Sequence, residues 1–229
     1  MFQNLHFVHY IPVATTILSL IFLIALLNHY FKGGKKPHVA WWALGIFTYG
    51  LGTGLEGAIT LFGNTVFLNK AWYVAGAILG GYPLAQGSVY LHMQKKTANL
   101  LSNITIPLII IISTLVFASP ADISVMQEFK PTGSILVWKE VRYFTPIINI
   151  YAVIFLIGGA FYSSYRFFKS KENPNRAVGN IFIAVGAILP GVGGSMAKAG
   201  IVEALYIGEF FGIILIWIGY KLCLRKVAE

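Results

Sequence analysis

Tyr49-Gly50-Leu51-Gly52-Thr53-Gly54-Leu55-Glu56-Gly57 places four glycines and one carboxylate inside an apolar run, residues 40–61, that is otherwise long enough to cross a membrane. Each glycine weakens a helix by roughly 1 kcal/mol relative to alanine, so the cluster signals close helix packing or a break. A carboxylate at that depth is costly and needs a partner or water.

Working outward, the whole chain has the same character. It has 229 residues, 57% of them hydrophobic and only 11% charged. A globular domain carries about 25% charged residues, so the chain falls in the membrane class. The net charge of +9 does not mark a nucleic-acid partner, because the basic residues sit in short clusters between apolar runs. A single cysteine, Cys223, excludes an internal disulfide and any multi-cysteine metal site. The first eleven residues hold no lysine or arginine, and the apolar run after them is too long for a cleaved signal, so it is expected to remain as a span.

Seven runs approach the length a span requires: residues 12–31, 40–61, 71–93, 100–117, 146–165, 177–197 and 204–222. They are continuous rather than alternating, which selects helices over a barrel. With the N-terminus outside, the inner side holds Lys32, Lys35, Lys36, Lys95, Lys96, Arg166, Lys169, Lys171, Arg176, Lys221, Arg225 and Lys226. The outer side holds only Lys70, Lys130, Lys139, Arg142 and Lys198. The positive-inside rule therefore gives N-out and C-in, in a cytoplasmic (inner) membrane. The long outer loop, 119–145, reads as a tether ahead of a lid, and its residues 134–144 either lie at the interface or extend the fifth helix outward.

The chain also matches itself. Tyr10-Ile11-Pro12 opens the first run and Phe144-Thr145-Pro146 the fifth, and Ile21-Phe22-Leu23-Ile24 recurs as Ile154-Phe155-Leu156-Ile157. At an offset of 137, Ala40, Gly54, Gly57 and Gly63 fall on Ala177, Gly191, Gly194 and Gly200. The expectation is an all-α polytopic protein with seven transmembrane helices, forming one membrane domain over 1–229. Repeat 1 covers about 10–93, a linker helix about 100–117, and repeat 2 about 146–222. The odd linker makes the two three-helix repeats parallel.

That layout resembles the SWEET and PQ-loop sugar transporters, the PnuC vitamin transporters and the KDEL receptor, a transporter–opsin–receptor architecture. The resemblance covers the whole chain at the level of topology, and it implies a seven-helix bundle built from two halves. The Pro-Gln pair of PQ-loop proteins is missing, so no functional residue is carried over. Trp72-Tyr73-Val74-Ala75-Gly76-Ala77 with Gln86-Gly87-Ser88-Val89-Tyr90-Leu91 is also similar to a pattern in uncharacterised bacterial membrane proteins, which implies no activity. The seventh run has a lysine only at its inner end, Lys221, so a retinal Schiff base is not expected.

Tyr49, Thr53, Glu56 and Thr60 make one polar stripe on a helix. Glu56 is either a solute-binding or protonatable group, or an outer-boundary carboxylate paired with Lys70 or Lys198. Glu209, in the seventh run with Tyr206 one turn before it, lies at similar depth in the other half. The sixth run carries Pro190, Gly191, Gly193 and Gly194, followed by Ser195 and Lys198. Interruptions at matching points of two halves point to a transporter site, so Gly50, Gly52, Gly54 and Gly57 are expected to break the second helix and Pro190, Gly191, Gly193 and Gly194 the sixth. Gln86, at four-residue spacing from Tyr82 and Tyr90, either joins helices or lines the site. The expected site groups are Tyr49, Thr53, Glu56, Gln86, Ser195, Lys198, Tyr206 and Glu209. Trp72 reads as an interfacial anchor. The five histidines form no site, and no metal, haem or other cofactor is expected.

The leading expectation is a small-solute transporter or facilitator, proton-coupled through the intramembrane carboxylates. The alternatives are a ligand-binding sensor that acts through a partner protein, and a membrane-embedded enzyme or cofactor carrier. The glycine-lined faces permit a homodimer without requiring one.

Overall fold

The computed structural model describes residues 6–170 and 173–225; Lys171 and Lys226, counted above, lie outside them. Among the described residues the chain is helical, with no strand and one isolated β-bridge, Ala121 to Leu136. Helix α1 spans Ile11–Lys32, α2 Pro37–Phe62, α3 Val66–Trp72, α4 Tyr82–His92 and α5 Lys95–Ala118. After the outer loop come α6 (Phe144–Ala152), α7 (Gly159–Ser170), α8 (Pro174–Lys198) and α9 (Val202–Leu224). Two wide π-helical turns, Tyr73–Ile78 and Val153–Gly158, follow α3 and α6.

Five stretches are long and apolar enough to cross a membrane: Phe7–Lys32, Lys95–Ala118, Lys139–Ser170, Pro174–Lys198 and Val202–Leu224. Their apolar windows are only 22–39% buried, so most of this surface faces outward. Water does not tolerate apolar patches of that extent, and the chain is a helical membrane protein. The second and third runs are not among the five. Helix α2 carries glycine and threonine where a self-sufficient span has aliphatics, and the third run is divided.

The expected breaks are not where the structure bends. Gly50, Gly52, Gly54 and Gly57 lie inside an unbroken α2, and Pro190, Gly191, Gly193 and Gly194 inside an unbroken α8. The glycines of α2 are contact points instead. A Cβ at Gly50 would stand 2.9 Å from Ser19 Cβ, one at Gly57 3.1 Å from Val13 Cγ2, and one at Gly52 3.2 Å from Gly76 Cα. Missing side chains thus let α1 and the third run close on α2.

Helices α8 and α9 use the same device more tightly. Cβ atoms on Gly179 and Gly219 would each meet the other's carbonyl oxygen, at 2.7 and 2.4 Å, and Gly186 and Gly212 do the same at 2.7 and 2.8 Å. Pro190 deprives the Gly186 carbonyl of its helical N–H, and the Cα of Gly212 faces that carbonyl across the interface. Proline therefore serves the packing here and does not interrupt the helix. Gly191 and Gly194 differ, since nothing lies within 4 Å of a Cβ at either.

The real interruption is in the third run. Pro83 starts α4 and has no N–H to offer the carbonyl of Leu79 four residues back. Thr48 Oγ1 donates to that carbonyl at 3.3 Å from α2. Gly81, beside the break, comes within 3.0 Å (as a Cβ) of Ala152, where the second π turn begins.

The loop between α5 and α6 is folded against the helix ends. Asn64, just past α2, donates through Nδ2 to the carbonyls of Gln127 (3.0 Å) and Lys130 (3.1 Å), and Asn69 Oδ1 accepts from Thr132 N at 3.1 Å. Ile135 and Leu136 are fully buried in a cluster with Tyr73, Ile78 and Ile112. The outward extension of the fifth helix holds from Lys139 onward.

Lys70 has a structural partner of its own. Its Nζ donates to the carbonyls of Phe117 (3.0 Å) and Ser119 (2.5 Å), satisfying the end of α5. Lys70→Met keeps the length and removes both bonds, so it should cost about 1–3 kcal/mol. Thermal unfolding in detergent reads this, and an unchanged midpoint would show that the lysine does not hold the helix end.

Candidate functional site: a buried carboxyl pair

Glu209 is the eighth residue of α9, more than two turns inside a membrane-length helix. Glu56 lies six residues before the outer end of α2. The first core cluster, which includes Phe22 of α1, Ile46 and Tyr49 of α2 and Ile213 and Ile216 of α9, holds these helices together. Tyr49 adds a direct tie, donating from its hydroxyl to the Glu209 carbonyl at 2.7 Å.

This packing brings the two carboxyl groups within hydrogen-bonding reach of each other. Glu56 is 1% exposed. Its Oε1 accepts from Trp72 Nε1 at 2.7 Å. Tyr206 is fully buried beside the pair, close enough to feel both charges. Thr60, one turn above Glu56, is also buried. Glu56 Oε2, Glu209 Oε2, Thr60 Oγ1 and Tyr206 Oη have no hydrogen-bond partner within the protein.

The chemistry follows from the contact. Two oxygens of facing carboxyls form a hydrogen bond only when a proton lies between them. Two unit charges 4 Å apart repel by about 4 kcal/mol even at an effective dielectric of 20, which opposes double ionisation. Among the described residues no lysine, arginine or histidine lies within ion-pair distance of either group; the ion pairs present are those of Glu203 with His9 and with Lys130. Two facing carboxyls without a counter-charge resist losing both protons, and an arrangement of this kind can hold one proton between them.

Of the eight expected site residues, Tyr49, Glu56, Tyr206 and Glu209 come together. Thr53 turns away to Thr16 on α1, with the two hydroxyls 2.9 Å apart. Gln86 belongs to a separate network: its Nε2 donates to Ser102 Oγ (2.7 Å) and Ala98 O (3.2 Å), and its Oε1 accepts from Tyr151. Ser195 and Lys198 are exposed, and Ser195 Oγ bonds back to the Gly191 carbonyl at 2.9 Å. Neither Lys70 nor Lys198 pairs with Glu56. Trp72 is the functional neighbour that the sequence reading places elsewhere, as an interfacial anchor. Its indole N–H points inward because α3 packs against α2 through Gly52 and Gly76.

Near the C-terminal ends of α1 and α9, His29 Nδ1 meets the Tyr220 hydroxyl at 2.5 Å. His92 meets Ser88 O at 2.8 Å and Ser163 Oγ at 2.6 Å. Both rings are engaged by the protein's own groups.

Fold and site together define a helical membrane protein with a carboxyl pair set between two helices. No protein-family model, curated protein or solved structure matches the chain.

Proposed function

We propose that this protein moves a small solute across the cytoplasmic membrane in step with protonation of the Glu56–Glu209 pair. In this reading α2 and the divided third run join the five apolar stretches as spans, making seven, with the N-terminus outside and the C-terminus inside. The observation that carries the reading is the carboxyl pair itself. It lies between packed helices, has no basic counter-charge among the described residues, and is contributed by two different helices, α2 and α9. A contact of that kind tightens or loosens as its proton count changes, and so links proton binding to movement of one helix against the other.

Proteoliposomes loaded with a fluorescent pH indicator test this. They are challenged in turn with neutral sugars, amino acids and nucleosides under a clamped membrane potential. At least one class should drive acidification of the lumen, and the same class should fail with Glu56→Gln. Flat traces for every class, with the protein verifiably inserted, would sink the reading.

A further inference from the structure

A second titratable cluster lies between the pair and the outer face. His9 sits on the 3-10 turn Phe7–Tyr10 ahead of α1, yet it is only 1% exposed. Its Nε2 lies 3.2 Å from Glu203 Oε1, the same oxygen that takes Lys130 Nζ at 2.6 Å. Glu203 and Lys130 are each 30% exposed, so this end of the cluster reaches solvent. The other end faces inward, where the His9 and Tyr206 rings meet edge-on, with centroids 6.2 Å apart at 71°.

Two details go beyond a structural ion pair. First, His9 Nδ1 is 3.1 Å from both the amide nitrogen and the carbonyl oxygen of His6. Both the neutral Nδ1–H ring and the charged ring donate to the C=O, so His9 gains or loses a proton at Nε2 without moving. Second, the approach of Nε2 to Glu203 is off the line of a hydrogen bond, which leaves Nε2 without a bonded partner, like Tyr206 Oη and one oxygen of each carboxyl. Proton-active atoms without fixed partners thus stand at the rim, at Tyr206 and at the pair. The charged and titratable groups around His9 are His6 on its own segment, Glu203 and Tyr206 from α9, Lys130 from the loop between α5 and α6, and Glu56 of α2 behind Tyr206.

We propose that His9 and Tyr206 form the route by which protons from the outer face reach the Glu56–Glu209 pair. The route rests on the shared-proton reading of that pair. His9 rests with its Nδ1–H donated to the His6 carbonyl, and in each passage its free Nε2 takes a proton from the Glu203 rim and passes it through a bridging water to Tyr206 Oη. Tyr206 passes its own hydroxyl proton to the carboxylate. One external proton is consumed, and the pair goes from one proton to two. His9 and Tyr206 end as they began.

The test uses the full chain in lipid nanodiscs and follows infrared absorption of protonated carboxyl after transfer to deuterated buffer. The C=O band is assigned to the pair by its loss in Glu56→Gln and Glu209→Gln. In His9→Gln and in Tyr206→Phe the band should keep its intensity, while its exchange half-time lengthens by at least about tenfold, the scale of a lost proton-transfer group. Unchanged half-times in both variants, with the band intact, overturn the route and leave the pair standing. A wild-type protein with no protonated-carboxyl band overturns the pair, and the route with it. His6→Ala, at the exposed neighbour, serves as the control for general loosening, and slowing of equal size there would also count against the route.

Discussion

Glu56→Gln and Glu209→Gln should each abolish pH-driven flux, lowering it by about 100-fold or more, the scale of a missing acid–base group. Glutamine has nearly the shape of protonated glutamate, and its amide can donate to the remaining carboxyl, so the contact between α2 and α9 survives. What disappears is the passage of a proton between the two carboxyls. Titration of the purified protein should therefore still show one proton taken up per chain on acidification in each single variant, and none from this site in the double variant. The double variant should be little worse than either single one, because both residues serve one shared proton. Flux that falls in two independent, multiplying steps would show that the carboxyls act separately. The Trp72 bond to Glu56 gives this asymmetry a direction: Glu56 keeps a donor when the shared proton leaves, whereas Glu209 Oε2 has no bonded partner.

Gly219→Ala should be strongly destabilising. Its Cβ would stand 2.4 Å from the Gly179 carbonyl oxygen, 2.8 Å from Ile183 Cγ1 and 3.0 Å from Ile183 N. Two of those three atoms are backbone, so no rotamer relieves the clash and the helices must part. Overpacking of this kind costs about 1–3 kcal/mol, and loss of the neighbouring Gly186–Gly212 contact adds to it. Gly191→Ala, on the open side of α8, should do the opposite and stabilise by up to about 1 kcal/mol through helix propensity. Thermal melts of the two variants in the same detergent make the comparison. Similar midpoints would show that the close α8–α9 approach is not what holds this pair.

Much of the architecture could be read from the sequence, because membrane spans announce themselves by length and apolarity alone. Glu56 and Glu209 were legible for the same reason, as carboxylates in the wrong solvent. Their meeting was not. It depends on Tyr49 reaching the Glu209 carbonyl and on Gly52 closing against Gly76, contacts between residues whose spacing carries no local signal. The glycines and Pro190 show why the expected breaks were misplaced. Gly-rich sequence weakens an isolated helix, but a partner helix pressed against the missing side chains restores it, and here that term wins. Pro83 does break the third run because α4 starts at it and Thr48 supplies the missing donor. Lys70 and Lys198 looked like counter-charges only because they share a boundary with Glu56. One caps a helix end, and the other faces away.

Helix α2 buries half of its 26 residues, against five of 22 in α1 and five of 24 in α5. It is absent from the five stretches apolar enough to cross by themselves. During synthesis such a segment has little to gain from partitioning into lipid alone. It is better delivered as a hairpin with α1, whose Val13, Thr16 and Ser19 cover its glycines. Final seating then waits for α9, made well after α2. The acid that α2 carries meets its mate only once α9 has joined, so its burial certifies that the two ends of the bundle have come together.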